Sequence, residues 1–324
     1  MTYDVKERER QVALRMAGDL FPLSKGRDGK INGRVYPFAL AERDENLMPS
    51  LRVWARSYVN KHDIVKHRMY MHLLSSQVCC VNFLAPFAND PVALAALVRP
   101  LFPSSSAVRP LPIPGEDGYV AFEWSPKTDL LNETDGKPPP RGAHATSTDA
   151  ALHLEVDGRR ELVLIEWKYT EKYARAPLSG GETARVTREQ RYGNLAFAPG
   201  GPIRSDLGLK LTDFFAEPAY QLLRQQMLAY RVERVGDEER RFDRAWVLHV
   251  SPRGNTALRK PTAARLAEMG DDLLALWPTL LERPDRFRSV ATEELFGRFD
   301  WNAHGAAVGM AGAYLRRRYA FAFE

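Results

Sequence analysis

The chain has 324 residues, of which 44% are hydrophobic, 27% charged and 10% aromatic. This composition excludes an intrinsically disordered chain and supplies enough apolar side chains for one large domain or two modest ones. The formal net charge of +5 favours contact with polyanions without establishing it, because the high arginine content is equally what GC-rich codon usage produces.

The two cysteines, Cys79 and Cys80, are adjacent in an apolar stretch. They exclude a disulfide framework and a CxxC zinc site, so the cytoplasm is the expected compartment. The N-terminus is charged and amphipathic, unlike a signal peptide, and no run approaches the roughly 18 apolar residues of a membrane span. We therefore expect a protein that is neither exported nor inserted into a membrane.

The first third of the chain has the pattern of a helical region. Apolar side chains recur at helical spacing over residues 5–20, and several helices are predicted over residues 47–98. A proline- and glycine-rich run at 103–118 ends this pattern, and Tyr119–Trp124 is predicted to be a strand. We interpret residues 1–105 as a mainly helical N-terminal region that packs on the rest.

A hairpin is predicted in the middle of the chain. Two extended segments, Asp149–Val156 and Arg160–Lys168, are joined by Asp157-Gly158, a strong signal for a two-residue turn. If these two residues are central in the turn, Asp149 lies opposite Glu166, on the same face, with the Cβ atoms about 4.5–5.5 Å apart.

The predicted elements continue with a helix from about Glu217 to Arg231 and a buried strand over Arg244–Val250. Helical patterns follow. We therefore divide the rest of the chain into a core at 106–255 and a helical C-terminal extension at 256–324, together with the N-terminal region in one compact unit.

The hairpin predicts a chemical site. Side chains alternate along a strand, so Lys168 projects from the same face as Glu166. Two neighbouring carboxylates, Asp149 and Glu166, repel each other unless a proton or a cation lies between them, and hard oxygen ligands suit Mg²⁺ or, in its place, Mn²⁺. An ion held there can polarise a phosphoryl oxygen, while Lys168 holds or activates the attacking water.

A structural ion pair is the alternative interpretation of Glu166 and Lys168. The same acid-x-Lys triplet also begins at Asp4, Asp28 and Asp135. Only the triplet at Glu166 ends a predicted buried strand, where charged side chains need partners. That position favours a catalytic site and leaves the structural alternative open.

Gln226 and Tyr230 are four residues apart on the predicted helix and therefore share one face. Taken alone, the helix is interpreted as an amphipathic helix that packs on the sheet. Its place between the hairpin and the strand at Arg244–Val250 favours a role for both polar groups at the site.

The arrangement resembles the PD-(D/E)XK nucleases. The segments that carry a more specific similarity, to a family of bacterial restriction endonucleases in that superfamily, are SSQVCCVNFLAPF (75–87), HATSTDAAL (144–152), LIEWKYTE (164–171) and YQLLRQQMLAY (220–230). The resemblance implies an α/β fold with a mixed β-sheet core flanked by helices, and with helical N- and C-terminal extensions.

The resemblance also assigns roles to single residues. Asp149, Glu166 and Lys168 match the two acids and the lysine of the motif, and Gln226 with Tyr230 resembles the Q-x-x-x-Y element of the RecB-like subgroup. It implies that all five are catalytic. One departure is that Thr148 stands where the motif has a proline.

Glu123, in YVAFEWSP, is the candidate for the additional acid that many members contribute from an upstream element. Its alternative is a local cap or salt bridge. The resemblance implies a metal site formed by Asp149, Glu166 and Glu123. His144, in the loop before Asp149, is a candidate phosphate contact or plain polar surface.

The function implied by the resemblance is a Mg²⁺-dependent endonuclease that hydrolyses double-stranded DNA, in restriction or another defence role. A homodimer is the family expectation. The alternatives are a repair or RNA-directed nuclease with the same site, and a nucleic-acid-binding protein of the same fold without catalysis. Gln190, Arg191 and Tyr192 are interpreted as surface residues that could approach a phosphate.

Overall fold

The computed structural model describes residues 1–64, 70–142, 145–174, 176, 178–235 and 242–324. The strands in these ranges are β1 (Asp28–Ile31), β2 (Arg34–Leu40), β3 (Val108–Leu111), β4 (Val120–Trp124), β5 (Thr148–Val156), β6 (Arg159–Trp167), β7 (Arg244–Ser251) and β8 (Phe287–Ala291). The α-helices are α1 (Tyr3–Ala17), α2 (Arg52–Lys61), α3 (Ser76–Leu84), α4 (Pro91–Val98), α5 (Gly181–Ala196), α6 (Ala219–Arg234), α7 (Ala264–Met269), α8 (Leu273–Leu280), α9 (Thr292–Phe296) and α10 (Gly305–Arg318).

The predicted central hairpin is formed by β5 and β6. Asp157 and Gly158 have φ angles of 48° and 79°, the left-handed values that a type I′ turn requires at both central positions. The strands pair Val156 with Arg159 at the turn and Ala150 with Ile165 near the far end. The predicted register is therefore confirmed, and it carries Asp149 to the position beside Glu166.

The hairpin lies in a six-stranded sheet with the order β3-β5-β6-β7-β8, in which β4 also pairs with β5. Strand β4 pairs with the first half of β5 and β3 with its second half, both antiparallel. The pairs β6–β7 and β7–β8 are parallel. The sheet is thus mixed and flanked by helices, which confirms the expected fold class.

Each face of the sheet packs on its own hydrophobic core. From β6, Val163, Ile165 and Trp167 enter one core, shared with α3, α4, α9 and α10, whereas Leu162 and Leu164 enter the other, shared with α5 to α8. A strand buried on both faces has a continuous apolar sequence. Because each such side chain contributes about 1.5–3 kcal/mol on burial, the register of β6 is strongly determined.

The first core also joins distant parts of the chain. It includes Leu84 from the N-terminal region, Ile165 from the sheet and Leu315 from α10. The Nδ2 group of Asn82 donates to the hydroxyl of Tyr319 at 3.2 Å. The N- and C-terminal regions therefore pack on the same side of the sheet.

Five elements, β1, β2, β3, β8 and α5, differ from the sequence expectation. The N-terminal region, predicted to be mainly helical, also contains the β1–β2 hairpin, whose Asn32-Gly33 turn has φ angles of 52° and 79°. Strand β3 lies within the proline-rich run, β8 within a segment predicted to be helical, and α5 within a polar connection. The Asn-Gly pair is a hairpin signal that was present in the sequence, whereas β3 and β8 are too short for a clear period.

Among the described residues, no single helix has the length and apolar character needed to cross a membrane; only the pair 76–87 and 91–101, bent by 118° between its two parts, meets those criteria of length and composition.

Candidate active site

A row of polar side chains crosses one end of the sheet, which we call the polar row: Glu123, Asp149, Glu166, His249 and Ser289. The pairs Phe122–Ala150 and Trp124–Thr148 place Glu123 opposite Asp149. The parallel pairs place Glu166 beside His249, and His249 beside Ser289. Laterally adjacent residues in a sheet share one face, so the topology brings together three of the predicted acids from β4, β5 and β6.

Asp149 is tied to the backbone of the neighbouring strand. Its Oδ2 accepts a hydrogen bond from the Trp167 amide at 2.7 Å. The hydroxyl of Thr148 donates to the Ile165 carbonyl at 2.7 Å, so the residue in place of the motif's proline continues the ladder through its side chain. Burial, and after it the negative charge of Glu166, raise the pKa of Asp149 well above its usual range.

Glu166 and Lys168 form a buried ion pair. The Nζ of Lys168 lies 2.5 Å from Oε1 of Glu166, and their side chains are 7% and 1% exposed. Burial opposes the charged ammonium, yet the acids and Tyr173, with Glu166 first among them, hold the pKa of Lys168 well above its usual range. Lys168 is therefore a cation at neutral pH.

Glu123 has a φ angle of 49°, an unusual backbone conformation for a residue other than glycine. Its Oε1 accepts from Nε2 of Gln77 at 2.6 Å, and its Oε2 accepts from the Ser147 hydroxyl at 3.4 Å. Burial and the nearby charge of Glu166 raise its pKa. The positive φ interrupts the regular strand at Glu123, and Glu123 lines the same cleft as Asp149.

The structure does not bring Gln226 and Tyr230 to this site. Both line a cavity of about 20 Å³ beside Ala245, at the opposite end of β7 from His249. Nε2 of Gln226 donates to the carbonyl of Arg286 at 3.2 Å, and the guanidinium of Arg234 lies 3.7 Å from the centre of the Tyr230 ring. The prediction that Gln226 and Tyr230 share a helix face is confirmed. However, α6 crosses the sheet so that this face meets the end of the sheet opposite the polar row.

An earlier turn of α6 reaches the site instead. Gln221 and Arg224 line the cleft described next, and Nε2 of Gln225 donates to the Ser147 carbonyl at 2.8 Å. Gln221 and Gln225 also stand four residues apart. That spacing was a signal in the sequence, equal in strength to the one at Gln226 and Tyr230.

An open cleft of about 710 Å³ lies at the Glu123 and Asp149 end of the polar row and is lined by these two acids and Lys168. Its walls carry three further cations, Arg8 from α1, Lys172 after β6 and Arg224 from α6. Nζ of Lys172 is 2.9 Å from Oδ2 of Asp4. The sequence analysis did not find these cations, because they come from segments far apart in the chain.

The donor atoms of the site suit a hard divalent cation. Oε1 of Gln225 is buried without a hydrogen bond, Oε1 of Glu166 has the Lys168 ammonium as its ion-pair partner, and the acids supply oxygen ligands only. In the part of the chain that the structure describes, no three His, Cys, Asp or Glu side chains form a metal-ligand group. Lys168 lies against Glu166, and Gln77 holds Glu123, so these contacts would have to give way to an ion.

His249 is a member of the polar row that the sequence analysis missed. Burial, and then the positive charges of Lys168 and Arg259, lower its pKa to about 3. Its Nδ1 lies 3.4 Å from the Ser289 hydroxyl. A neutral imidazole at this position avoids placing a second cation beside Lys168.

The lowered pKa of His249 predicts a loss of stability in acid. The unfolded histidine binds a proton below about pH 6.5, whereas the folded one stays neutral down to about pH 3, so stability falls as the pH drops through this window. Relative to wild type, His249→Gln should gain about 2–3 kcal/mol between pH 7 and pH 4.5. Urea denaturation at both pH values measures this, and an unchanged pH dependence in the variant would contradict it.

The sequence interpretations of Tyr192 and His144 can be compared with the structure. Tyr192, interpreted as a surface residue, is buried at 2% exposure, and its hydroxyl donates to Oε1 of Glu133 at 2.6 Å. That interpretation is wrong, because Tyr192 lies on the face of α5 that packs toward α6. His144 lies outside the described residues.

One of three comparisons with known proteins gives a match. A family model described as a restriction endonuclease associating with ARP matches residues 23–320, nearly the whole chain. Neither the comparison with curated proteins nor that with solved structures gives a match.

Proposed function

The chain belongs to the family of restriction endonucleases associating with ARP, and from this premise we propose that it is a Mg²⁺-dependent endonuclease that hydrolyses the phosphodiester bonds of double-stranded DNA. The observation that supports the proposal is the convergence of Asp149, Glu166 and Lys168 at one end of the sheet, under an open cleft with cations on its walls. We propose restriction or a related defence role as its purpose.

Each residue has a role that its surroundings suggest. Asp149 and Glu166 would hold the cation, with Glu123 as a further oxygen ligand. Bound Mg²⁺ supplies Lewis-acid chemistry, because it withdraws charge from the phosphoryl oxygen that it contacts. Arg224 and Lys172 bind phosphates on either side of the scissile one, which positions the DNA strand over the cleft.

The charge of Lys168 decides whether it holds or activates the attacking water. Its pKa is held well above the usual range by Glu166 and the other nearby acids, so in the metal-free protein it carries its proton and is charged. Lys168 therefore orients that water and offsets the negative charge that develops on the phosphate. The proton passes to a carboxylate or to solvent.

Cleavage of unmethylated plasmid DNA in Mg²⁺ or Mn²⁺ tests the proposal. We expect discrete fragments from wild type, none in EDTA, and a rate lower by about 10²–10³-fold in Glu166→Gln, which keeps the shape of the side chain but removes its charge. The matched control is Glu268→Gln, an exposed glutamate paired with Arg265, which should cleave like wild type.

Two results would contradict the proposal. Wild type that binds duplex DNA but cleaves neither DNA nor RNA would identify a non-catalytic nucleic-acid-binding protein. Selective cleavage of RNA would keep the site and change the substrate. Sedimentation of the protein with and without DNA tests the proposed homodimer separately.

A further inference from the structure

A row of aromatic rings leads from the cleft onto the β1–β2 hairpin. The ring of His72, at the edge of the cleft, lies 4.7 Å from that of Phe38, centre to centre, and Phe38 lies 4.9 Å from Tyr36 with an angle of 26° between the planes. Tyr36 and Phe38 are alternate residues of β2 and therefore project from the same face. The outer end of this row is the half-buried ring of Tyr36.

The row is fixed to the rim of the cleft. The Leu40 amide donates to the Met71 carbonyl at 3.0 Å, and the Leu73 amide donates to the Phe38 carbonyl at 2.9 Å. The guanidinium of Arg8, which also lines the cleft, lies 5.3 Å from the centre of the Phe38 ring. Phe38 is thus enclosed by its neighbours and supports Tyr36 from beneath.

The strand beside Tyr36 places no side chain opposite its ring. Tyr36 is paired with Gly29. A Cβ at Gly29 would come within 2.1 Å of the Leu40 carbonyl oxygen, so no larger residue fits without a backbone shift. The close packing of the hairpin therefore requires glycine opposite Tyr36, whose ring is half-buried.

The hairpin around this ring is positively charged. Lys30 and Arg34 are exposed, and among the described residues neither forms an ion pair. Asp28, the acid of β1, is already paired with Arg15 at 2.6 Å. By strand alternation Arg34 projects from the same face as Tyr36 and Lys30 from the opposite face, so the free charge on the Tyr36 face is that of Arg34, which suits a phosphate.

We propose that the β1–β2 hairpin binds an unpaired DNA strand that continues from the cleft, with a base stacked on Tyr36 and a phosphate on Arg34. Aromatic rings beside cations are the usual means of holding single strands, because every base has a flat face. A base inside a duplex is stacked on both sides and offers no free face to Tyr36, so the surface selects DNA with an unpaired flank. This inference builds on the proposed nuclease function and specifies its substrate.

Binding measured without cleavage tests the inference. Fluorescence anisotropy in EDTA compares a blunt duplex with the same duplex carrying a single-stranded overhang of about ten nucleotides. Wild type should prefer the overhang DNA, and Tyr36→Leu should weaken that binding about tenfold while changing blunt-duplex binding less than about twofold. Tyr36→Trp, which keeps a stacking ring, should restore the preference.

Arg34→Ala, on the exposed turn of the hairpin, provides a variant with little risk to folding. It should weaken overhang binding and reduce its salt dependence, whereas the matched control Arg265→Ala, on α7, should not. Equal binding of both DNAs by wild type, no binding of either, or a wild-type preference retained in Tyr36→Leu would each overturn the inference.

The binding results can be distinguished from the results of the cleavage test. Overhang binding that depends on Tyr36, in a protein that cleaves nothing, supports the inference and refutes the nuclease proposal. Cleavage by a protein whose DNA binding does not depend on Tyr36 supports the nuclease proposal and refutes the inference.

Discussion

Asp149→Asn is expected to abolish DNA cleavage and, at pH 8, to raise the free energy of unfolding of the metal-free protein. Asparagine has the same shape and can still accept the hydrogen bond from the Trp167 amide. It cannot ionise, so it removes the negative charge that the buried site tolerates poorly and that a cation would need. Activity and stability should therefore change in opposite directions.

The raised pKa of Asp149 determines how the stability difference between Asp149→Asn and wild type changes with pH. Burial raises the pKa of Asp149 above the value of 3.8 that it has in an unfolded chain. Above that pH the unfolded state releases its proton while the folded state retains it, so wild-type stability falls as the pH rises through this range. The advantage of Asp149→Asn should thus be small near pH 4 and grow toward pH 8.

Urea denaturation in EDTA across this pH range, with plasmid cleavage measured in parallel, tests both parts. Mg²⁺ should stabilise wild type, because it binds the folded state only, and should have little effect on Asp149→Asn. The matched control is Asp206→Asn, an exposed acid paired with Arg204. A variant that cleaves like wild type would remove Asp149 from the site, and one that is destabilised at pH 8 would refute the electrostatic argument.

Lys168→Met is expected to reduce cleavage by about 10²–10³-fold and, unlike Asp149→Asn, to destabilise the metal-free protein. Methionine fills a similar volume, but it leaves Glu166 buried beside Asp149 without its cation. Breaking a buried pair in this way costs about 3–5 kcal/mol. Both effects follow from the loss of one positive charge.

The pH range in which Lys168→Met is destabilised follows from the raised pKa of Lys168. A lysine whose folded pKa lies above its unfolded value of 10.5 contributes its full stabilisation below that value and loses it only at higher pH. The deficit of Lys168→Met should therefore be complete at pH 8.

Thermal and urea unfolding with and without Mg²⁺ distinguish the two roles of Lys168. Added Mg²⁺ should recover part of the lost stability, because the ion replaces the ammonium between the acids, but it should not recover cleavage. Lys172→Met, at the exposed partner of Asp4, is the matched control for stability. Full activity in Lys168→Met would show that the lysine is only a structural partner of Glu166.

The sequence predicted the floor of the site because the geometry of a hairpin is local. A two-residue turn at Asp157-Gly158 and the alternation of strand side chains are enough to bring Asp149, Glu166 and Lys168 together. Thr148 could replace the motif's proline without disturbing this, since its hydroxyl bonds across to β6.

The walls of the site could not be predicted in the same way. Helical periodicity shows that Gln226 and Tyr230 share a face, but it does not show which end of the sheet that face meets. The angle at which α6 crosses the sheet results from packing in the second core, and it brings Gln221 and Arg224 to the cleft instead. Arg8 reaches the cleft only through tertiary contacts of α1.

The alternation of β5 and β6 between two cores restricts which changes of length this gene segment can accept during evolution. A codon lost within Ala150–Val156 would turn each preceding residue of β5 to the opposite face of the sheet. Asp149 would then point into the apolar core beside α3. Codons inserted at the exposed turn, by contrast, can loop out without moving either strand. Natural variants should therefore vary in length at Asp157-Gly158 and remain constant in length along the strands.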